Sequence, residues 1–208
     1  MTNPQAADRV LAPGDARPLV LASTSPYRRE LLGRLGLPFE TVSPLVDEAS
    51  LPGELPQAVA LRLSAAKAAA VASRRPAALV IGSDQTATLD GRTVLGKPGT
   101  HQKAVEQLRM ASGRSLAFHT GLALMCAETG FHRSVVVETR VRFRTLDDAQ
   151  IEAYLAREPA YDCAGSARVE ALGIALIEAI DGPDPSALIG LPLIELTGFL
   201  QAAGRPVL

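Results

Sequence analysis

Cysteine is scarce in this 208-residue chain: Cys126 and Cys163 are the only two, far apart and without metal-ligand spacing. A chain of this size with two cysteines does not rest on a disulfide framework, and a reducing, cytoplasmic setting is expected. Charge of one sign is not in excess either. Lys+Arg number 21 against Asp+Glu 22, a formal net charge of −1. The molecule as a whole therefore offers no positive field to a phosphate backbone, and a polynucleotide partner is not expected. Long hydrophobic runs are missing as well. The apolar stretch from Leu116 to Ala127 is interrupted by His119 and Thr120 and is too short to span a bilayer, so no membrane partner is expected. Residues 1–18 mix Asn, Gln, Asp, Arg and Pro without an apolar segment; they read as a flexible tail, neither leader nor anchor.

Several catalytic machineries are also absent. The chain has no Gly-x-Ser-x-Gly elbow and no dinucleotide fingerprint after its first apolar run, and His101, His119 and His132 show no metal-ligand pattern. A Ser-His-Asp hydrolase and a zinc-histidine enzyme are thereby disfavoured. Gly91 to Lys97 matches most of a phosphate-binding loop, but Pro98 stands where a Ser or Thr would hold magnesium. The Asp90-Gly91 pair also reads as a hairpin tip, not as a strand-to-helix turn.

With 47% hydrophobic and 21% charged residues, the chain has the apolar surface to fold, and residues 19–208 read as one domain. Leu19 to Ala22 is a short buried strand. It meets a helix at Ser25 and Pro26, a capping residue followed by a proline suited to the first helical position. Leu55 to Arg75 is Ala-rich and reads as a helix with Val59, Leu63, Ala66 and Ala70 on one face. Leu79 to Ile81 is a second buried strand, with the polar cluster Gly82-Ser83-Asp84-Gln85 placed beyond its end. Thr100 caps a helix running to about Ala111. Leu116 to Ala127 and Val135 to Arg144 are long strands, Asp147 to Arg157 is helical, and Gly173 to Ile180 is a strand. A last helix starts near Pro192. The pattern predicts an α/β fold, with a mixed sheet flanked by helices.

Two clusters point to chemistry. At Ser23-Thr24-Ser25-Pro26-Tyr27-Arg28-Arg29, a strand-to-helix turn combines free helix N–H groups, hydroxyls and guanidinium groups, all of them phosphate donors. Read plainly, Ser25 is only a cap and the arginines are solvated. Asp84 follows a buried strand, where ligands of open sheets collect. With Glu48, Lys67, Lys97 and Arg28 it supplies a carboxylate and cations, the groups that phosphoanhydride hydrolysis needs. Read plainly, it is a turn aspartate.

Taken together, Leu21 to Arg29, Val46-Asp47-Glu48, Lys67, Gly82 to Gln85 and Gly96-Lys97-Pro98 resemble the Maf family of nucleotide pyrophosphatases. Cys163 to Ser166, Glu170, Gly173-Ile174 and Gly190-Leu191-Pro192 extend the match from Leu19 to Gly204. The resemblance implies a two-lobed fold like that of inosine triphosphate pyrophosphatases, a nucleotide in the central cleft, a divalent metal cation (Mg2+ or Mn2+) and a homodimer. Carried over, Asp84 is the proton acceptor that activates water. Ser23, Arg28, Lys67 and Lys97 bind phosphate, and Glu48 with Asp84 holds metal. Gly-Ser-Asp-Gln resembles the branch acting on 7-methyl-GTP, with Tyr27, Gln85 and Glu170 at its specificity positions. Tyr27 departs from the Trp of that branch. The implied activity is hydrolysis of 7-methyl-GTP to 7-methyl-GMP and pyrophosphate, keeping modified nucleotides out of nucleic acid. Two alternatives stand beside it: a dTTP/UTP pyrophosphatase of the same fold, whose branch usually shows Gly-Ala-Asp-Thr, and a non-catalytic nucleotide-binding regulator of cell division.

Overall fold

Strand β1 (Leu19–Ala22) is buried at every residue, as an apolar run covered on both faces must be. The computed structural model describes residues 17–208. The expected tail thus lies outside the described residues, apart from its last two. Those two are tied down: Arg17 donates to Glu128 Oε1 at 3.0 Å, and the Pro18 carbonyl accepts from Leu79 N at 2.9 Å.

Strand β1 pairs in parallel with a short edge strand β2 (Glu40–Thr41), which the sequence did not signal, and with β3 (Leu79–Thr88). Antiparallel pairing then adds β4 (Ser115–Cys126), β5 (Phe131–Phe143) and β6 (Ile177–Asp181). The result is an open six-stranded mixed sheet in the order β2-β1-β3-β4-β5-β6. Helices α1 (Pro26–Gly33), α2 (Pro56–Ala72), α3 (His101–Ala111), α4 (Asp148–Arg157) and α5 (Leu193–Ala202) pack around it. Ser25 caps α1 and Thr100 caps α3, and Asp147 closes a capping box with Gln150 at the start of α4.

Two lobes share the long strands. In the first, Leu19, Leu21, Leu79, Ile81 and Leu122 pack against Leu31 and Leu32 of α1 and Leu196 and Leu200 of α5. On the opposite face Val20, Val80 and Ala123 meet Ala68 and Val71 of α2. In the second lobe Ala87, Leu116, Phe118 and Val141 pack against Leu108 of α3 and Ile151 of α4. Strands β3 and β4 run through both lobes, so the polar middle of β3 falls at their junction.

Three expectations are corrected. Strand β3 does not stop at Ile81 but continues unbroken to Thr88, taking in Gly82-Ser83-Asp84-Gln85. Polar residues are tolerated there because each finds a partner, as when Thr86 Oγ1 donates to the Pro56 carbonyl at 2.9 Å. The buried face of α2 holds Val59, Ala60, Leu63, Ser64, Lys67, Ala68 and Val71, while Ala66 and Ala70 are only half-buried. Alanine on every side had hidden the phase. Residues 172–176 form a 3-10 turn before β6, because Gly173 sits against Arg168, where an added Cβ would fall 2.4 Å from the Arg168 carbonyl oxygen.

Candidate active site

Parallel pairing of β1 with β3 ends at Ala22 opposite Gly82. Beyond that register β3 runs on without β1 beside it, and the carboxyl end of β1 opens into a cleft of about 710 Å3. The strand whose end matters is therefore β1; Asp84 projects from inside β3.

Helix α2 lies unusually close to the sheet. A Cβ added at Gly82 would sit 2.1 Å from the Ser64 carbonyl oxygen, and one at Gly121 would sit 2.1 Å from that of Ala60. Only glycine permits this approach. It brings Lys67 down onto Asp84, with Nζ 2.7 Å from Oδ1, and both side chains are buried. The same ammonium lies 2.8 Å from Glu48 Oε1, carried by the irregular segment between β2 and α2, and 60% of the Glu48 side chain is exposed. Burial pushes the Asp84 carboxyl above the usual carboxylate range, while Lys67 and Arg28 pull it back.

At the β1–α1 turn, Ser23 Oγ accepts from Ser25 N at 3.1 Å and keeps its own proton to donate. Arg28 is fixed through Nε, which donates to the Gly190 carbonyl at 2.8 Å. Burial lowers its pKa, but a guanidinium starts so high that it stays charged. Gly190 adopts φ 119° and hugs the arginine, with an added Cβ 3.4 Å from Nε. The Ser83 hydroxyl lies 2.8 Å from both the Gly121 and Gly190 carbonyls and donates to one at a time. These contacts give a physical role to the Gly190-Leu191-Pro192 segment.

Lys97 is exposed and lines the same cleft. Its chain segment is not a phosphate-binding loop: Asp90 instead closes a turn, accepting from Arg92 N at 2.8 Å and Thr93 N at 2.7 Å. Beyond it, Ala87 bridges to Leu95.

Tyr27, Gln85 and Glu170 line the same cleft. The Gln85 amide nitrogen shares its two N–H donors among Thr120 Oγ1 at 2.9 Å and the carbonyls of Ala187 and Leu188 at 3.0 Å, which leaves the amide oxygen for a ligand. Gln85 thus faces a base as an acceptor. Glu170 is exposed. The Tyr27 hydroxyl donates to Asp162 at 3.3 Å, a contact that sequence reading missed. Arg168 lies 5.8 Å from the centre of the Tyr27 ring and 2.6 Å from Asp162 Oδ1. Leu45 at the cleft rim is also new, at φ 50° and 82% exposed. Only the run of small residues beside Asp162 and Arg168 marked that loop in the sequence.

All nine residues singled out from the sequence thus border one cleft. Among the described residues no group of three or more His, Cys, Asp and Glu side chains is placed to hold a metal ion, and no helix is long and apolar enough to cross a membrane. Glu48 and Asp84 meet through Lys67, so the two carboxylate oxygens bound to it lie no further apart than its two short contacts allow.

A family profile described as "Maf-like protein" matches residues 18–203. A protein of Polaromonas sp. (strain JS666 / ATCC BAA-500) named "7-methyl-GTP pyrophosphatase" is 58% identical over 189 residues, covering 91% of this chain and 86% of that protein. One of the same name from Burkholderia thailandensis is 58% identical over 192 residues, covering 91% and 89%. A third, from Nitrosococcus oceani, is 55% identical over 197 residues, covering 94% and 98%. With its mixed sheet, two lobes and cleft, and with relatives matched over nearly its whole length, the chain belongs to the Maf-like family.

Proposed function

We propose that the protein hydrolyses 7-methyl-GTP to 7-methyl-GMP and pyrophosphate. The observation that carries this reading is the buried carboxylate of Asp84 in the cleft, set against Lys67 with Arg28 close enough to shift its pKa. A polyanion beside a buried carboxylate is repelled unless that carboxylate takes a proton or holds a cation. Asp84 takes the proton from a water whose oxygen attacks the α-phosphorus. The bond from that phosphorus to the bridging oxygen breaks, and pyrophosphate leaves with its charge offset by Lys67, Arg28 and Lys97. Ser23 donates to a phosphate oxygen.

A divalent cation fits the donor set, because two carboxylates within reach of one ammonium leave the remaining positions to phosphate oxygens and water. When bound through Glu48 and Asp84, Mg2+ or Mn2+ would neutralise the phosphates. On the base side, Tyr27 offers a ring for stacking, Gln85 an acceptor and Glu170 a carboxylate, which suit the N–H groups of a guanine and a ring made cationic by methylation. The names of the relatives support the same substrate. A cytoplasmic, homodimeric protein without membrane or polynucleotide partners completes the proposal; sedimentation tests the dimer.

The test is pyrophosphate release from 7-methyl-GTP, GTP, dTTP, UTP and CTP with magnesium or manganese, and with a chelator. Metal-dependent turnover favouring 7-methyl-GTP is expected. Preference for dTTP and UTP would move the protein to the other branch, and binding without turnover of any would make it a nucleotide sensor.

A further inference from the structure

The base end of the cleft carries an arrangement that the reaction itself does not use. Tyr27 comes from α1 in the first lobe, and Asp162 comes from the segment after α4 in the second. The Tyr27 hydroxyl reaches Asp162 Oδ2, and Arg168 Nη2 grips Oδ1 of the same carboxylate at 2.6 Å. Arg168 Nη1 also lies 3.8 Å from Glu158 Oε1, and Glu158 accepts from Leu172 N at 2.8 Å. Two carboxylates therefore answer one guanidinium, and Glu170, two residues along the chain from Arg168, adds a third negative group to the cleft. Lys67, Arg28 and Lys97 line the same cleft, Lys67 paired with Glu48 and Asp84.

Carboxylates grouped around Arg168 beside the Tyr27 ring, in a cleft that also holds phosphate-binding cations, match a ligand that is anionic at its triphosphate and cationic at its base. Burial, followed by the neighbouring Cys163 and Asp162, pushes the Tyr27 hydroxyl up to about 12, although Arg168 opposes it, so the ring stays neutral and donates. Burial alone would raise Asp162, but hydrogen bonds from Arg168 and Cys163 outweigh it and hold the carboxyl below its ordinary value. The group is thus an ionised acceptor.

We propose that Asp162 is a positioning residue for base selectivity: by neutralising Arg168 and steering the Tyr27 ring, it keeps this end of the cleft receptive to a positively charged purine. Without Asp162 the Arg168 charge stands less compensated beside the stacking ring and repels a cationic base more than a neutral one. Loss of ring placement alone would penalise both bases alike. This inference rests on the functional reading above.

The measurement is the ratio of kcat/KM for 7-methyl-GTP to that for GTP. Asp162→Asn is expected to lower the ratio about fivefold, a modest effect because half of the Asp162 side chain faces solvent. Asp162→Glu keeps the charge and is expected to keep the ratio. Asp162→Asn with Arg168→Gln removes both charges and is expected to restore the ratio even where total turnover is reduced; thermal melts establish that each variant is folded. A wild-type ratio in folded Asp162→Asn, or equal losses on both substrates, would overturn this inference alone. A wild-type protein with no preference for 7-methyl-GTP would overturn the functional reading and this inference with it.

Discussion

Lys67 and Asp84 form a buried ion pair at 2.7 Å, and burial dominates the titration of the carboxylate despite that partner. As the base, Asp84 works only when ionised, so kcat/KM should rise with pH through a limb lying above the ordinary aspartate value of 3.8. Lys67→Met removes the main opposing charge and should move the limb to higher pH, alongside weaker phosphate binding. An acid limb that stayed in place would disconnect Lys67 from the titration. Because the folded-state pKa is raised, the contribution of Asp84 to stability is full below its unfolded value and is lost as pH rises through the folded one.

Asp84→Asn keeps the shape of the side chain and removes the proton acceptor. A loss of about 10²–10⁴ in kcat is expected, the span usual for a positioned general base. Lys67 keeps Glu48 as a partner, so the variant should remain folded in a thermal melt. Near wild-type hydrolysis by folded Asp84→Asn would assign the base elsewhere.

Gly82→Ala tests the close approach of α2. The new Cβ would meet the Ser64 carbonyl oxygen at 2.1 Å and Ala68 N at 2.7 Å, and backbone atoms cannot swing aside as a flexible side chain does. Destabilisation of about 1–3 kcal/mol is expected from overpacking, read by urea denaturation. Displacing α2 also lifts Lys67 from Asp84, so kcat/KM should fall in protein that is still folded. Stability and activity both unchanged would mean that the helix shifts freely.

Much of this was legible in local chemistry. Ser25-Pro26 and Thr100 marked helix starts because capping is decided within a few residues, and the apolar runs marked β1 and the first three residues of β3. The continuation of β3 was hidden because Ser83, Asp84 and Thr86 satisfy their polar groups through tertiary partners that sequence spacing does not show. Edge strand β2 has two exposed residues and no apolar signal. Of the nine candidate residues in the cleft, Ser23, Arg28, Glu48, Lys67, Asp84 and Lys97 stood out by their chemistry and Tyr27, Gln85 and Glu170 took their roles from the family pattern, whereas Asp162 and Arg168 depend on a contact between Tyr27 and a residue 135 positions away.

The segment bearing Glu48 is held by a two-point clamp: Arg62 Nε and Nη2 each donate to Glu54 at 2.7 Å, and Nη2 also reaches the Ala49 carbonyl at 3.0 Å. Glu54 accepts in turn from Leu51 N at 3.0 Å. Hydrogen bonds from Arg62, then from Leu51, hold the Glu54 carboxyl down to about 2. The stability it contributes is therefore present above its ordinary value of 4.5 and is lost as pH falls towards 2. Arg62→Met leaves α2 intact but frees the segment, so amide hydrogen exchange at Ala49 and Leu51 should accelerate, by about tenfold. Because Glu48 then samples positions away from Lys67, the magnesium concentration needed for half-maximal turnover should rise while kcat at saturating metal is largely retained. Faster exchange without any change in metal requirement would show that Glu48 does not help to hold the cation.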